Sequence, residues 1–406
     1  MLRNGVIHTV SQGTLNRGDI LLIDDKINRI APTISVEADA VTDLQGQHVY
    51  PGLIVASSTL GLVEINAVRA TRDYSEVGRF TPEVQSWVAV NPDSEILPVA
   101  RANGITHMVP TPRGGTIPGS SAVMALSPWT IEDMLVRANV GLNINWPAMS
   151  LNTRFAAGNG SQAAKSPGDQ RKQWKQNLDE ITSFFKEAQM YHENNHSKGL
   201  RVPAWEAMKA VIAKKTPLFI HANTVSQIRS AIDWSTERGM QCVIIGGRDA
   251  WHIADEIARA KVAIVYEHIY TQPNRDTDRY DVHFRAPSIL ADAGVKVVIN
   301  HDSGSFEASN ARNLPYDAAQ AVAYGLPEDE ALRSITLSAA EVLGIQAHTG
   351  SLEAGKDATL IVVDGPILET SSNVRHMWIK GEKMPLDSRH TRLNDRYTHR
   401  PKRSSK

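Results

Sequence analysis

The side chains able to do chemistry stand at the ends of short apolar runs. His221 and Asn223 close the run that begins at Pro217. Gly246, Gly247, Arg248 and Asp249 follow Gln241–Ile245, and Glu267, His268 and Tyr270 follow Val262–Tyr266. His301, Asp302 and Ser303 follow Val295–Asn300. Earlier in the chain, Ser57, Ser58 and Thr59 end the run from Leu53, with Glu64 just beyond. Thr111 and Arg113 follow Ile105–Pro110, and Asn143, Asn145 and Trp146 end the run from Val140. Asp302 could act as a general base with His221 or His301 holding its orientation. Arg113 and Arg248 suit a substrate carboxylate bound through two parallel N–H groups. The glycines beside both let a ligand approach the backbone, while a surface ion pair is the plain alternative for each. His268 and Tyr270 bring a titratable and an aromatic group to the same place and complete the candidate substrate-binding set. Ser57 and Ser58 lie outside any Gly-x-Ser-x-Gly turn, which argues against a serine nucleophile.

Elements that alternate along the chain must position these groups. Eight strands are expected at Leu53–Ser57, Ile105–Pro110, Ala122–Leu126, Val140–Asn145, Pro217–Ala222, Gln241–Ile245, Val262–Tyr266 and Val295–Asn300. Helices are expected over Glu95–Asn103, Lys172–Asn194, Val225–Arg238, Asp249–Ala260, Ala286–Gly294, Leu314–Tyr324 and Asp329–Leu343. Strands and helices in alternation predict a parallel α/β architecture, and eight strands fit a (β/α)8 TIM barrel over residues 51–349. Its site would lie at the C-terminal strand ends, where these chemical groups stand. Ser150–Arg171 reads as a flexible polar insertion rich in Gly and Ser. Residues 1–50 and 350–386 read as short strands between tight turns, including a hairpin at Asp24-Asp25. Residues 387–406 form a polar tail, frayed at its end.

Of 406 residues, 42% are hydrophobic and 21% charged, with a formal net charge of -1. This is a globular balance that offers nothing to nucleic acid or to an acidic membrane surface. No apolar run reaches the length of a membrane span. The start lacks a basic segment followed by an apolar core, so the chain as written reads as cytoplasmic; a removed leader would leave the same picture. The single cysteine, Cys242, excludes an internal disulfide and a cysteine zinc cluster, and its apolar neighbours make it a buried, inert thiol. Trp87, Trp129, Trp146 and Trp205 read as packing residues, and His283 as a solvated histidine.

Two stretches resemble the metal-dependent amidohydrolase superfamily. One is Pro51-Gly52-Leu53-Ile54, the frame of that family's first barrel strand. The other is Gly350-Ser351-Leu352-Glu353-Ala354-Gly355-Lys356-Asp357-Ala358, followed by Thr359–Val363, Val374–Ile379 and Gly381-Glu382-Lys383. The closing segments look most like the imidazolonepropionase and prolidase-like branch. The resemblance implies a small β-sandwich composed of both chain ends. It further implies hydrolysis of a cyclic amide or dipeptide C–N bond, and a divalent metal, zinc above all.

In that pattern a histidine ends strand 5 and an aspartate ends strand 8, and His221 and Asp302 match them as metal ligands. The acid and two histidines of strand 1 are replaced by Val55, Ser57 and Thr59, or by Ala56 and Ser58 in the other register. The strand-6 histidine is absent, and no strand-4 lysine aligns, Lys165 lying too far along. A catalytic zinc needs about three protein ligands and an open position. His268, Glu267, His301 or Glu64 could complete a rearranged site, or no metal is bound. Three readings stay open. One is a divergent C–N hydrolase with a reduced metal site. Another is an inactive barrel that binds a small molecule or a partner subunit. The third is a metal-free enzyme in the same mouth. The expected partners are a small-molecule ligand and a second copy or a related amidohydrolase subunit, with no nucleic acid and no membrane.

Overall fold

The computed structural model describes residues 1–127, 129–151, 166–193 and 201–399. Five strands come first: β1 (Leu2–His8), β2 (Thr14–Ile23), β3 (Lys26–Ala31), β4 (Thr42–Asp43) and β5 (His48–Pro51). Asp24, with φ of 53°, turns β2 into β3 through the expected two-residue hairpin. Eight barrel strands follow: β6 (Leu53–Ser58), β7 (Ile105–Pro110), β8 (Gly119–Ala125), β9 (Leu135–Asn145), β10 (Leu218–Ala222), β11 (Cys242–Gly246), β12 (Ala263–Tyr266) and β13 (Val297–Ile299). The chain ends with β14 (Leu360–Val363), β15 (Val374–Ile379) and β16 (Glu382–Lys383).

The two chain ends build one sheet, in the order β16-β15-β14-β5-β1-β2-β3, with β4 against β1. They meet where β14 runs antiparallel to β5, pairing Val49 with Val362 and Tyr50 with Ile361. Ile7, Ile20, Ile27, Val49, Leu360 and Trp378 share a buried core of their own. The Lys26 ammonium and the Asp357 carboxylate add a bond across the same junction.

The second sheet runs β13-β12-β11-β10-β9-β8-β7-β6. The alternation of elements predicts strands all parallel, but β8 runs antiparallel to both neighbours. Only residues 111–118 separate β7 from β8. That link is too short for a crossover helix, so the chain must turn straight back. Every other pairing in the barrel is parallel.

Strand side chains alternate between faces. Ile54, Ala56, Val109, Val123, Phe219, Val243, Ile245, Val265 and Val298 form the inner core, closed from below by Ala339 and Ala340 of the helix Leu337–Val342 and by Leu343 just after it. Their alternate neighbours Leu53, Val55, Leu218, Ile220, Ile244, Ile264, Val297 and Ile299 pack outward against the helices.

The helices depart from expectation mainly at their ends. The expected Asp329–Leu343 helix breaks into Glu328–Ser334 and Leu337–Val342, and the one before β13 starts early, spanning Val282–Asp292. Residues 152–165 of the expected insertion, Lys165 among them, lie outside the described residues, while 167–171 open the long helix Pro167–Glu193. The tail forms a helix, Arg389–Thr398, capped by Ser388 and burying none of its side chains; its expected frayed end lies outside the described residues. No described helix is long and apolar enough to cross a membrane. Cys242 accepts a bond from Ser235, and burial pushes its thiol pKa up.

Candidate functional site

The alternation that lines the barrel also builds its mouth. Phe219 points inward, so His221 two residues on does too; Val265 places Glu267 likewise, and Val298 places Asn300. His221 therefore meets Asn143 of β9, with Nε2 3.1 Å from Oδ1. Asn143 in turn donates to Ser121 Oγ (2.9 Å) and to the Gly119 carbonyl. Antiparallel β8 thus brings its first residues, not its last, to the mouth. The His221 ring keeps an exposed edge, yet burial pushes its pKa down to about 3, with the Arg113 charge adding to the effect. The ring is neutral near pH 7.

Glu267 is a strongly perturbed carboxyl of the mouth. It is 9% exposed, and burial pushes its pKa up to about 7. The Arg113 charge and hydrogen bonds from Ser303 and Ser57 favour its ionised form, and the Asp302 charge opposes it. Ser303 Oγ donates to Oε2 at 2.9 Å and Asn300 Nδ2 to Oε1 at 3.3 Å. Arg113 Nη2 donates to Ser303 Oγ at 2.7 Å and to the Ser303 carbonyl. Guanidinium, hydroxyl and carboxyl therefore form one chain. A carboxyl that exchanges its proton near neutrality suits general acid and base work.

Arg248 sits across the mouth. The turn before it has Gly246 and Gly247 at φ of 98° and 65°, and a Cβ on Gly246 would fall 2.4 Å from Asn223 Oδ1. That oxygen accepts from the Arg248 backbone N–H (3.4 Å) and lies 2.7 Å from His268 Nε2. Arg248 Nη2 donates to the Gln272 carbonyl at 2.6 Å. Burial lowers the His268 pKa to about 4, and the Arg248 charge adds to this. Tyr270 stands on the rim, 55% exposed, its hydroxyl donating to the Tyr316 carbonyl.

His283 is not the solvated histidine expected. It is buried, with Nδ1 2.8 Å from the Tyr266 hydroxyl. Trp129, expected to pack, is 84% exposed, whereas Trp146 is buried against Trp234.

The two groups matched most directly to metal binding do not converge. Asp302 is exposed and accepts from the Gly304 N–H at 2.8 Å, turning its own loop, while His221 is engaged by Asn143. No hydrogen bond joins them. His301 turns away, with Nδ1 2.8 Å from Asp317 and Nε2 3.3 Å from Glu307. It does not orient Asp302. Burial lowers the His301 pKa, but the two carboxylates outweigh it and the net shift is upward. Glu64 stands in the β6–β7 loop with one carboxylate oxygen buried and unpartnered. Among the described residues no three His, Cys, Asp or Glu side chains come together to hold a metal ion. The donors present do not fit a zinc centre, which needs about three.

Glu267, Asn143 and Ser303 were named as strand-end groups in the sequence, but the shift of Glu267, its contacts with Ser303 and Asn300, and the pairing of His221 with Asn143 and of His301 with Asp317 were missed. The two-residue step from Val265 would have placed Glu267 inside. A cavity of about 660 Å³ beside Arg79, Phe80 and Phe184 contains none of these groups.

The model of the amidohydrolase family matches residues 168–384. Amidohydrolase tasK of Hapsidospora irregularis is 22% identical over 404 residues, covering 90% of this chain and 39% of that protein. The chain thus spans about two-fifths of the length of that curated relative. Among solved structures, an amidohydrolase from Thermotoga maritima MSB8 shares the fold at a TM-score of 0.81, with 23% identity over 94% of this chain and 98% of its own. An adenosine deaminase from Xanthomonas campestris with bound zinc gives 0.53, with 14% identity over 94% and 92%. A prolidase complexed with N-methylphosphonate-L-proline gives 0.54, with 15% identity over 94% and 98%.

Proposed function

The chain belongs to the amidohydrolase family, and from that premise we propose that it hydrolyses the C–N bond of a small amide, with Glu267 as the group that moves protons. The observation that carries this reading is the Glu267 carboxyl at the inner mouth, buried, fed by Ser303 and Asn300, and pushed up to about 7. A strongly shifted group at the C-terminal mouth of a barrel is a functional-site candidate.

Ionised Glu267 takes a proton from water as the water oxygen bonds to the amide carbon. The C–N bond then breaks, and the departing nitrogen receives that proton from Glu267. The products are an acid and an amine, and Glu267 returns to its starting state. Arg113, reaching Glu267 through Ser303, favours the ionised form needed at the start. No step runs through a metal, because the donor set does not fit one.

The test is turnover of cyclic amides and dipeptides, measured by product analysis alongside metal content and zinc titration. Turnover that falls 10²- to 10⁴-fold in Glu267→Gln supports the reading. No turnover of any amide, with or without zinc, overturns it.

A second reading, a binding barrel without activity, draws on one observation. Both Glu267 oxygens are already satisfied by Ser303 and Asn300, and His221 by Asn143, a state in which a mouth can rest without turnover.

A further inference from the structure

Arg113 and Arg248 stand at the barrel mouth without the carboxylate partner that many arginines of the fold hold. Arg229, Arg275, Arg285, Arg333 and Arg375 each hold a carboxylate. Among the described residues, neither mouth arginine makes such a pair. Each is held through Nη2 by neutral oxygens, Ser303 for Arg113 and the Gln272 carbonyl for Arg248. Each also buries its Nε with no acceptor. A buried guanidinium N–H without an acceptor is expensive, and among the described residues no carboxylate satisfies it.

Their placement states what that anion looks like. Arg113 follows β7 and Arg248 follows β11, the second and sixth of eight barrel strands, so they rise from opposite walls. Both lean to one side: Arg113 reaches the loop after β13, and Arg248 the loop after β12. Glu267, at the end of β12, accepts from Ser303, the residue Arg113 reaches. His268 and His283 stand near Arg248 as neutral rings, so they offer N–H and N: without adding charge. Asp302, the exposed carboxylate of the mouth, turns to its own loop and pairs with neither guanidinium.

We infer that the mouth takes an amide bearing a carboxylate on each side of its C–N bond, one held by Arg113 and the other by Arg248, with the amide over Glu267. This substrate class rests on the C–N hydrolase reading above, but the two-anion site can be tested without turnover. Arg suits both ends, since its planar fork presents paired donors to a carboxylate.

Isothermal titration with N-succinylglycine, N-propionylglycine and N-succinyl-methylamide compares both carboxylates, the amine-side one alone and the acyl-side one alone. N-succinylglycine is expected to bind at least tenfold tighter than either companion. Arg248→Gln and Arg113→Gln should each abolish the advantage of one carboxylate and leave the other. Arg113→Lys, which keeps the charge near Ser303, serves if Arg113→Gln fails to fold. Equal affinity for all three probes, or variants that weaken every probe alike, would overturn the two-anion site. N-succinylglycine bound and returned intact would leave the site standing and remove the hydrolase reading. Turnover of uncharged amides, with no binding of N-succinylglycine, would do the reverse.

Discussion

Asn300 closes the barrel onto Ser57. No ladder joins β13 to β6; instead Asn300 Oδ1 accepts from the backbone N–H groups of Ala56 (2.8 Å) and Ser57 (3.2 Å), and its Nδ2 donates to the Ser57 carbonyl (2.8 Å). One side chain, 1% exposed, does the work of a strand pairing at the seam and also feeds Glu267. Replacing it with an apolar side chain of similar size orphans three buried backbone groups, each worth about 1–3 kcal/mol. Asn300→Leu is expected to destabilise the fold by roughly 2–5 kcal/mol. Urea unfolding measures it, and a loss below about 1 kcal/mol would show that the seam does not depend on this side chain.

Glu267 ties stability to pH. Its folded pKa, pushed up to about 7, exceeds that of an unfolded glutamate. The folded state therefore holds more protons between the two values, and stability falls as pH rises through that window. The full penalty above the window is on the order of 3 kcal/mol. Glu267→Gln carries no such charge, and its amide can still donate to Ser303 Oγ. The variant should match the parent near pH 4.5 and exceed it at pH 8, read from paired denaturation curves. Parallel curves at every pH would contradict the assigned shift.

The buried histidines act with the opposite sign. His107 is 3% exposed and its pKa is lowered to about 4 by burial, and His221 and His268 are lowered likewise. An unfolded histidine binds a proton near pH 6.5 while these rings refuse it, so stability is lost as pH falls from about 6.5 toward 4. Replacing His107 by Leu is expected to remove about 2–3 kcal/mol of that acid loss between pH 7 and 4.5. Unfolding free energies at the two pH values give the difference directly.

Gly52 is required for space rather than for an unusual φ. A Cβ there would stand 2.1 Å from Thr106 Oγ1 and 2.7 Å from Thr106 Cβ. Gly52→Ala should cost about 1–3 kcal/mol through overpacking. Trimming the neighbour in Gly52→Ala/Thr106→Ala should recover only part of it, since the Thr106 Cβ itself is too close. Thermal melts of the single and double variants test this; full recovery would mean that the backbone yields more easily than the geometry indicates.

Much of the scaffold was determined by local sequence. Short apolar runs alternating with helical segments made all eight barrel strands legible, the Asp24-Asp25 pair announced its hairpin, and the glycine-rich text from Gly350 marked the closing strands. His221, Asp302, Arg113, Arg248, His268 and Tyr270 could be listed as strand-end residues by the same reasoning. What they do could not, because a side chain's role depends on neighbours far away in the chain. His221 is bound to Asn143, 78 residues earlier, and Asn300 reaches Ser57, 243 residues earlier. Asp302 turned to its own backbone, and His301 went to Asp317. The direction of β8 and the shift of Glu267 were likewise decided by tertiary structure. A short link can be counted in the sequence, but burial, which drives the Glu267 carboxyl toward neutrality, exists only once the walls of the barrel stand around it.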